Sequence, residues 1–345
     1  MQEGVVLQGV VKRDEDRTCR EIGFIVNLQF KLSEHMIGLT LLSIFSGIVV
    51  GYFIKIKLGF LILPLVFAMI YPMMTGISIR ALKNVREIIP VIAEALLLNF
   101  LIAPAYMFVL SSIFVPDPGI RLGLMFLAIA PSSSMGLGFI GLSGGDMVAG
   151  AAIVALAFLC SIFVYPLLGG FIAEKSNLHV PYLLMIKSLI FVLVLPLIFG
   201  ILTRELIVRK KGTHCFNVRY KPVFSTITLL CLYLMIFVIF SSKATMIVHD
   251  WRDILMVAPV AICFYPFLVI LTLLINRKRL SYEKHQSVVF TSVSKNVALS
   301  IAILVAVFGR SGQYFAIAPA LMAVFQAPFL MCYLRLKDRV RKMFV

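Results

Sequence analysis

The sequence predicts an all-α polytopic membrane protein, and three observations support this prediction. The 345 residues are 61% hydrophobic and only 14% charged, with a mean hydropathy of +1.02. Apolar runs of about 18 residues or more, the length that crosses a bilayer as a helix, recur along the chain. The alternation typical of a transmembrane β-barrel is absent. This composition lies far from the usual balance of a soluble domain.

Ten apolar spans follow one another, and charged or turn-forming residues separate them. A charged N-terminal segment, 1–35, precedes them as a cytoplasmic or interfacial element, and its early charges argue against a cleavable signal peptide. A basic tail, 335–345, follows them. The predicted spans, numbered 1 to 10, cover about 36–54, 60–79, 88–114, 121–143, 147–173, 182–203, 223–242, 254–275, 286–308 and 314–334.

Lys and Arg residues are distributed unevenly between the loops. With ten spans both termini lie on one side, and that side holds most of the cations, notably in loops 204–221 and 277–284. Cytoplasmic loops carry such an excess. The sequence therefore predicts both termini in the cytoplasm and an inner or plasma membrane location. It also explains the net charge of +16 as a sign of orientation rather than of nucleic-acid binding.

Internal spacing divides the ten spans into two halves of five, residues 36–173 and 182–334. Pro104 and Pro166 stand 62 residues apart, as do Pro266 and Pro328. Because five is odd, the second half must run opposite to the first. This is the inverted-repeat design of secondary transporters.

Spans 4 and 9 carry the polar interruptions that such a design needs near the bilayer centre. Pro131 removes a helix hydrogen bond in span 4, and three serines follow it. The shift along the sequence that takes Pro104 to Pro266 and Pro166 to Pro328 places these serines on Ser294, Lys295 and Asn296 in span 9. We therefore predict that spans 4 and 9 are broken helices that cross, with a solute or ion site formed by Ser132, Ser133, Ser134, Thr291, Ser294, Lys295 and Asn296.

Four segments resemble the bile acid:sodium symporter superfamily, which includes the arsenical-resistance transporters. They are AMIYPMM (68–74), NFLIAP (99–104), APSSSMGLGFIGLSGGD (130–146) and SKNVALSIAI (294–303). The local matches favour the arsenite-efflux branch. The resemblance implies ten helices in two inverted repeats and alternating access between a panel domain and a core domain. It also adds Asn99, which matches a sodium-site glutamine, to the candidate site.

Several positions depart from both branches of the superfamily. Thr291 and Lys295 match the Glu and Gln that bind sodium in bile-acid symporters, so the resemblance implies that most sodium ligands are missing. Ser132 and Ala298 match a cysteine and a glutamate of the arsenite-efflux branch. The loss of the thiol removes a soft ligand for trivalent arsenic.

Lys295 is the residue that most needs an explanation, because a lysine at the bilayer centre costs about 2.5–3.5 kcal/mol. Its ammonium could replace a bound cation, exchange a proton during transport, or contact an anionic solute. A structural ion pair is the alternative. Glu94 is the one acidic residue deep within a predicted span, so it is the candidate counter-ion or proton carrier. Lys187 lies near a span end, where it can snorkel.

The leading functional prediction is a secondary active transporter, without cofactor or metal, that moves a small anion or oxyacid in the lipid membrane. We expect it to be sodium-independent, by proton coupling or exchange. The alternatives are a sodium-coupled organic-anion symporter and an arsenite or antimonite efflux transporter. An enzyme would need a convergent set of His, Cys, Asp or Glu side chains at membrane depth, and the five histidines are scattered. A passive channel is the third class. No GxxxxGK[ST] motif supports direct ATP drive.

Overall fold

The computed structural model describes residues 35–54, 58–77, 88–133, 135–175, 186–187, 190–249 and 251–344. All regular structure in these ranges is helical, apart from a single bridge between two helix breaks. The predicted N-terminal segment, except for His35, and the candidate residue Ser134 lie outside the described residues.

The helices are numbered here in chain order. They are α1 Met36–Phe53, α2 Ile62–Met74, α3 Ile89–Leu97, α4 Ala103–Phe114, α5 Pro118–Ala128, α6 Met135–Ser143, α7 Met147–Val164, α8 Gly170–Lys175, α9 Leu195–Cys215, α10 Lys221–Ser242, α11 Ala244–His249, α12 Trp251–Leu255, α13 Val257–Asn276, α14 Tyr282–Val293, α15 Val297–Phe315, α16 Ile317–Arg335 and α17 Lys337–Arg341. Four π-helical turns occur, at Leu98–Ile102, Tyr165–Gly169, Ile190–Val194 and Phe216–Tyr220, and 3-10 turns at Gly59–Leu61 and Lys342–Phe344.

Within the described ranges, six helical stretches are long and apolar enough to cross a bilayer. They are Ile89–Phe114, Met147–Ile172, Leu195–Ser242, Val257–Asn276, Val297–Phe315 and Ile317–Arg335. Large apolar side chains point outward along the helices: Phe53 is 76% exposed, Leu167 71% and Phe163 69%. Such surfaces need lipid or a partner around them. The prediction of an integral, all-helical membrane protein is confirmed, while the count of ten spans stays a prediction.

The described helices pack in two groups. In the first group, α10 packs against α1 and α2, and α9 packs against α2. In the second group, α13 packs against α4, α14 and α16, while α14 also packs against α3, α6 and α7. Helix α15 packs against α16 of the second group. The two groups meet where α15 contacts α2 and where α16 contacts α1.

The break in each polar span follows from its sequence. Helix α5 ends at Ala128, shortly before Pro131, and α6 begins only at Met135. In span 9, α14 ends at Val293 and α15 begins at Val297. Both breaks therefore fall at the positions predicted from the polar interruptions.

The region between predicted spans 6 and 7 differs from the prediction. A loop was expected over 204–221, but helix continues through it as α9 and a π-helical turn. Residues such as Glu205, Leu206 and Lys210 form helices readily, and the chain changes direction at Gly212, where φ is +84°. This positive φ is open to glycine without a steric penalty.

The basic tail packs against the second group of helices. Lys337 Nζ donates to the carbonyl oxygen of Leu142 at 3.1 Å. Arg341 lies 3.9 Å from the Glu283 carboxylate, and its guanidinium stacks on the Tyr282 ring. These contacts join the tail to the ends of α6 and α14.

We predict that Gly51→Ala destabilises the protein and that Gly38→Ala does not. A Cβ at Gly51 would overlap the main-chain carbonyl of Ser241 on α10, whereas a Cβ at Gly38 meets no atom within 4 Å. Overpacking of this kind costs about 1–3 kcal/mol. Thermal unfolding of the two detergent-purified variants tests the prediction, and equal melting temperatures would contradict the close approach of α1 and α10.

Candidate functional site

The breaks of spans 4 and 9 meet inside the protein and hydrogen-bond to each other. The main chains of Ser132 and Lys295 form an antiparallel bridge. The Ser133 N–H donates to the Ser294 carbonyl at 2.7 Å, and the Asn296 N–H donates to the Pro131 carbonyl at 3.0 Å. Backbone groups that leave a helix inside a membrane need partners of this kind. The predicted crossing is therefore present, and we call it the crossing below.

A side chain from α16 completes the main-chain bonding of Lys295. Gln326 accepts from the Lys295 N–H through Oε1 at 3.0 Å and donates through Nε2 to the Lys295 carbonyl at 3.2 Å. Both residues are buried. The amide of Gln326 thus fixes the lysine backbone from both sides.

The ammonium of Lys295 is bound by three neutral oxygens. Nζ donates to the Asn99 side-chain Oδ1 at 2.9 Å, to the Asn99 main-chain carbonyl at 3.0 Å, and to the Ala130 carbonyl at 3.5 Å. Lys295 is fully buried. Among the described residues no carboxylate lies within salt-bridge distance of Nζ. All three N–H donors therefore have partners without an ion pair.

Asn99 links the ammonium to the rest of the crossing. Its Nδ2 donates to the Ala95 carbonyl at 2.9 Å and approaches Ser132 Oγ and the Thr291 carbonyl at 3.4 Å each. Ser132 Oγ donates to the same Thr291 carbonyl at 2.6 Å. The structure thus brings together four of the predicted residues, Asn99, Ser132, Thr291 and Lys295.

The other predicted residues surround the starts of the two half-helices. Ser133 Oγ accepts from the Met135 N–H at 3.3 Å, at the start of α6. Asn296 caps α15, because its Oδ1 accepts from the Leu299 N–H at 3.0 Å. Ser294 is buried, and its Oγ has no hydrogen-bond partner among the described residues. Helix N-termini carry partial positive charge, so α6 and α15 both direct positive ends at the crossing.

Glu94 makes no described contact with the Lys295 ammonium. Its neighbours are the Asn276 side chain and the Arg279 cation, and its Oε1 is buried without a hydrogen-bond partner. Glu94 and Asn99 are five residues apart, so on a regular helix their side chains point about 140° away from each other. The ion pair with Lys295 expected as the structural alternative is absent from the described contacts.

Sequence reasoning missed four contributors to the site. The Asn99 main-chain carbonyl and the Ala130 carbonyl leave no residue-type signal. Gln326 is not among the predicted site residues, although an amide in an otherwise apolar span is a usable signal. The thioether of Met73 on α2 also reaches the crossing, where Asn296 Nδ2 lies 3.4 Å from its Sδ.

The model of the Sodium Bile acid symporter family matches residues 63–250, more than half of the chain. The chain belongs to this family. It is also similar to arsenical-resistance protein Acr3 of Corynebacterium glutamicum, with 27% identity over 81% of this chain and 77% of that protein. An uncharacterized transporter of Synechocystis is 28% identical over 77% of this chain and 74% of its own.

A third relative is similar over most of the chain. Arsenical-resistance protein Acr3 of Alkaliphilus metalliredigens is 23% identical over 81% of this chain and 82% of its own. The chain is therefore an integral membrane transporter of the sodium bile acid symporter family, with a small-molecule solute as cargo. In this family member the crossing is the buried polar centre that a transport function can use.

We predict that Gln326→Leu lowers the melting temperature of the purified transporter, because both main-chain groups of Lys295 lose their side-chain partner. The Lys295 N–H keeps the Val293 carbonyl and the Lys295 carbonyl keeps the Val297 N–H, so the variant loses two hydrogen bonds, each of about 0.5–1.5 kcal/mol. Gln313→Leu is the matched control, since Gln313 is only half-buried and makes no described contact with the crossing. A loss of stability no larger in Gln326→Leu than in the control would contradict this role of Gln326.

Proposed function

We propose that this family member is a secondary active transporter that moves a small anion or oxyacid by alternating access without sodium. The observation that carries the proposal is the binding of the Lys295 ammonium by three neutral oxygens at the crossing. The ammonium takes the place of a bound cation. It supplies one fixed positive charge where a sodium-dependent transporter would have to bind one from solution.

The energetics favour a charged lysine at this position. Insertion of a lysine at the bilayer centre costs about 2.5–3.5 kcal/mol. Hydrogen bonds to a charged group each contribute about 1.5–3 kcal/mol. Three such bonds therefore offset the cost of burial, which a single weak contact would not. A set of oxygens without a carboxylate also matches the way protein carbonyls replace the hydration shell of a monovalent cation.

The electrostatics of the crossing favour a negatively charged or strongly polar solute. The positive ends of α6 and α15 and the Lys295 charge act in one place. Among the described residues Ser294 Oγ has no hydrogen-bond partner, and the acceptor of Asn296 Nδ2 is the thioether of Met73. These groups can donate to solute oxygens. The three N–H donors of Lys295 already have protein partners, so the lysine attracts a solute by its charge rather than by direct contact.

The packing of the helices supports the two inverted repeats, 36–173 and 182–334. In the two repeats α4 corresponds to α13, α5 to α14, and α6 to α15. The contacts correspond in the same way. Helix α5 packs on α15 and α14 packs on α6, while α4 packs on α5 and α13 packs on α14. Likewise α6 packs on α7 as α15 packs on α16. The group of α1, α2, α9 and α10 is then the panel that moves against the other helices. Alternating access requires such a division.

The distribution of Lys and Arg supports an orientation with both termini in the cytoplasm of an inner or plasma membrane. Glu94 then lies near the cytoplasmic end of span 3, beside Asn276 and Arg279. A carboxylate at this depth is a candidate proton carrier, which would couple solute movement to protons.

Efflux of arsenite or antimonite is the second candidate function, because two relatives carry the name arsenical-resistance protein. Ser132 stands where the arsenite-efflux branch is expected to have a cysteine. Its hydroxyl is committed to the Thr291 carbonyl at 2.6 Å. A hydroxyl is a poorer ligand than a thiolate for a soft metalloid. This candidate therefore depends on recognition of the solute by hydrogen bonds.

We predict that sodium does not stimulate wild-type transport and that Lys295→Ala loses about tenfold or more of the flux. The variant leaves three oxygens without a cation, so sodium or methylammonium should restore part of its activity. Flux is measured in proteoliposomes with arsenite, antimonite, acetate and pyruvate as test solutes. Lys187→Ala, which removes an exposed lysine, is the matched control. A sodium requirement in the wild type would contradict the proposal.

We predict that Ser132→Cys increases the stabilisation of the purified protein by arsenite, since a ligand that binds the folded state raises its melting temperature. Ser133→Cys places a thiol one residue away and serves as the control. A larger arsenite shift in Ser132→Cys alone supports a metalloid site at the crossing. Equal shifts in both variants and the wild type would count against the second candidate function.

A further inference from the structure

The carbonyl of Asn99 that binds Lys295 is free because of an irregularity in span 3. Residues Leu98–Ile102 form a π-helical turn, in which a carbonyl bonds to the N–H five residues later instead of four. The Ala103 N–H accordingly donates to the Leu98 carbonyl. In a regular α-helix the same N–H would have bonded to Asn99.

The residue that would donate the next hydrogen bond is a proline. In the π register the Asn99 carbonyl would pair with the N–H of residue 104, and Pro104 has none. In an unbroken α register the proline would instead have left the Phe100 carbonyl free. The π turn thus moves the unpaired carbonyl by one residue, from half-buried Phe100 to fully buried Asn99.

We infer that Pro104 is a positioning residue of the cation site: with the π turn, it keeps the Asn99 main-chain carbonyl available to the Lys295 ammonium. Span 3 is then shaped to present two oxygens of one residue to the same nitrogen, at 2.9 and 3.0 Å. The inference rests on the proposed role of Lys295 as a built-in cation.

Two other prolines have the same place relative to a π turn but a different outcome. Pro196 follows the turn Ile190–Val194, and Pro222 follows Phe216–Tyr220, each at the spacing of Pro104 from its own turn. The carbonyls freed by the same rule belong to Phe191, which is 57% exposed, and to Asn217, which is also exposed. A role in bending helices alone would make the three prolines equivalent. Of these three carbonyls, the one freed by Pro104 is the one that binds a buried cation.

A double-mutant cycle between Pro104 and Lys295 tests the inference. In Pro104→Ala, either the new N–H bonds to the Asn99 carbonyl or the helix returns to the α register, where Ala103 takes it. In both cases Lys295 must share the Asn99 carbonyl oxygen with a main-chain N–H, which weakens its bond to the ammonium. We expect Pro104→Ala to lower the melting temperature of the full-length protein by several degrees in the wild type, but not in Lys295→Met. We expect arsenite or pyruvate flux to fall about tenfold in Pro104→Ala.

Pro196→Ala is the matched control, and its effect should be the same with lysine or methionine at position 295. A change in melting temperature for Pro104→Ala that is equal in both backgrounds would overturn the inference. If Lys295→Met does not fold, Lys295→Gln replaces it. If neither folds, a shift in Pro104→Ala that matches Pro196→Ala in the wild type overturns the inference equally. The melting temperatures need no solute, so their outcome is separate from that of the transport proposal.

Discussion

A charged ammonium enclosed at the centre of a membrane protein is the constraint on which the rest of this structure depends. Lys295 has no solvent and no carboxylate within reach among the described residues, so neutral oxygens must hold its charge. Helical carbonyls are normally committed to their own N–H groups. Oxygens without a helical N–H partner occur where helices end or lose register, and the crossing supplies both situations.

The surrounding features serve that requirement. Helix α5 ends before Pro131, which leaves the Ala130 carbonyl available, and the π turn with Pro104 releases the Asn99 carbonyl. Gln326 bonds to both main-chain groups of Lys295 within the broken segment of span 9. Helices α6 and α14 pack closely, because a Cβ at Gly136 would lie 2.9 Å from the Phe290 carbonyl. The same arrangement places the positive ends of α6 and α15 at the crossing.

Much of this could be predicted from the sequence. Composition predicts a helical membrane protein, and Pro131 together with the polar residues 291–296 predicts the two breaks, because local chemistry determines where a helix ends. The partners of Lys295 could not be predicted, since the register of span 3 and the packing of α16 decide which oxygens point inward. Glu94 is the candidate counter-ion or proton carrier by its position in span 3, yet its helical direction takes it to Asn276 and Arg279. The join of α9 to α10 escaped prediction because charged residues suit helices as well as loops.

The central claim is that the Lys295 ammonium occupies the place of a bound sodium ion. Equilibrium binding of radioactive sodium to the purified wild type and to Lys295→Ala tests it most directly, with Lys187→Ala measured beside them. The account predicts no saturable sodium binding to the wild type or to Lys187→Ala, and one new saturable site in Lys295→Ala. Saturable sodium binding to the wild type, unchanged when Lys295 is removed, would contradict it.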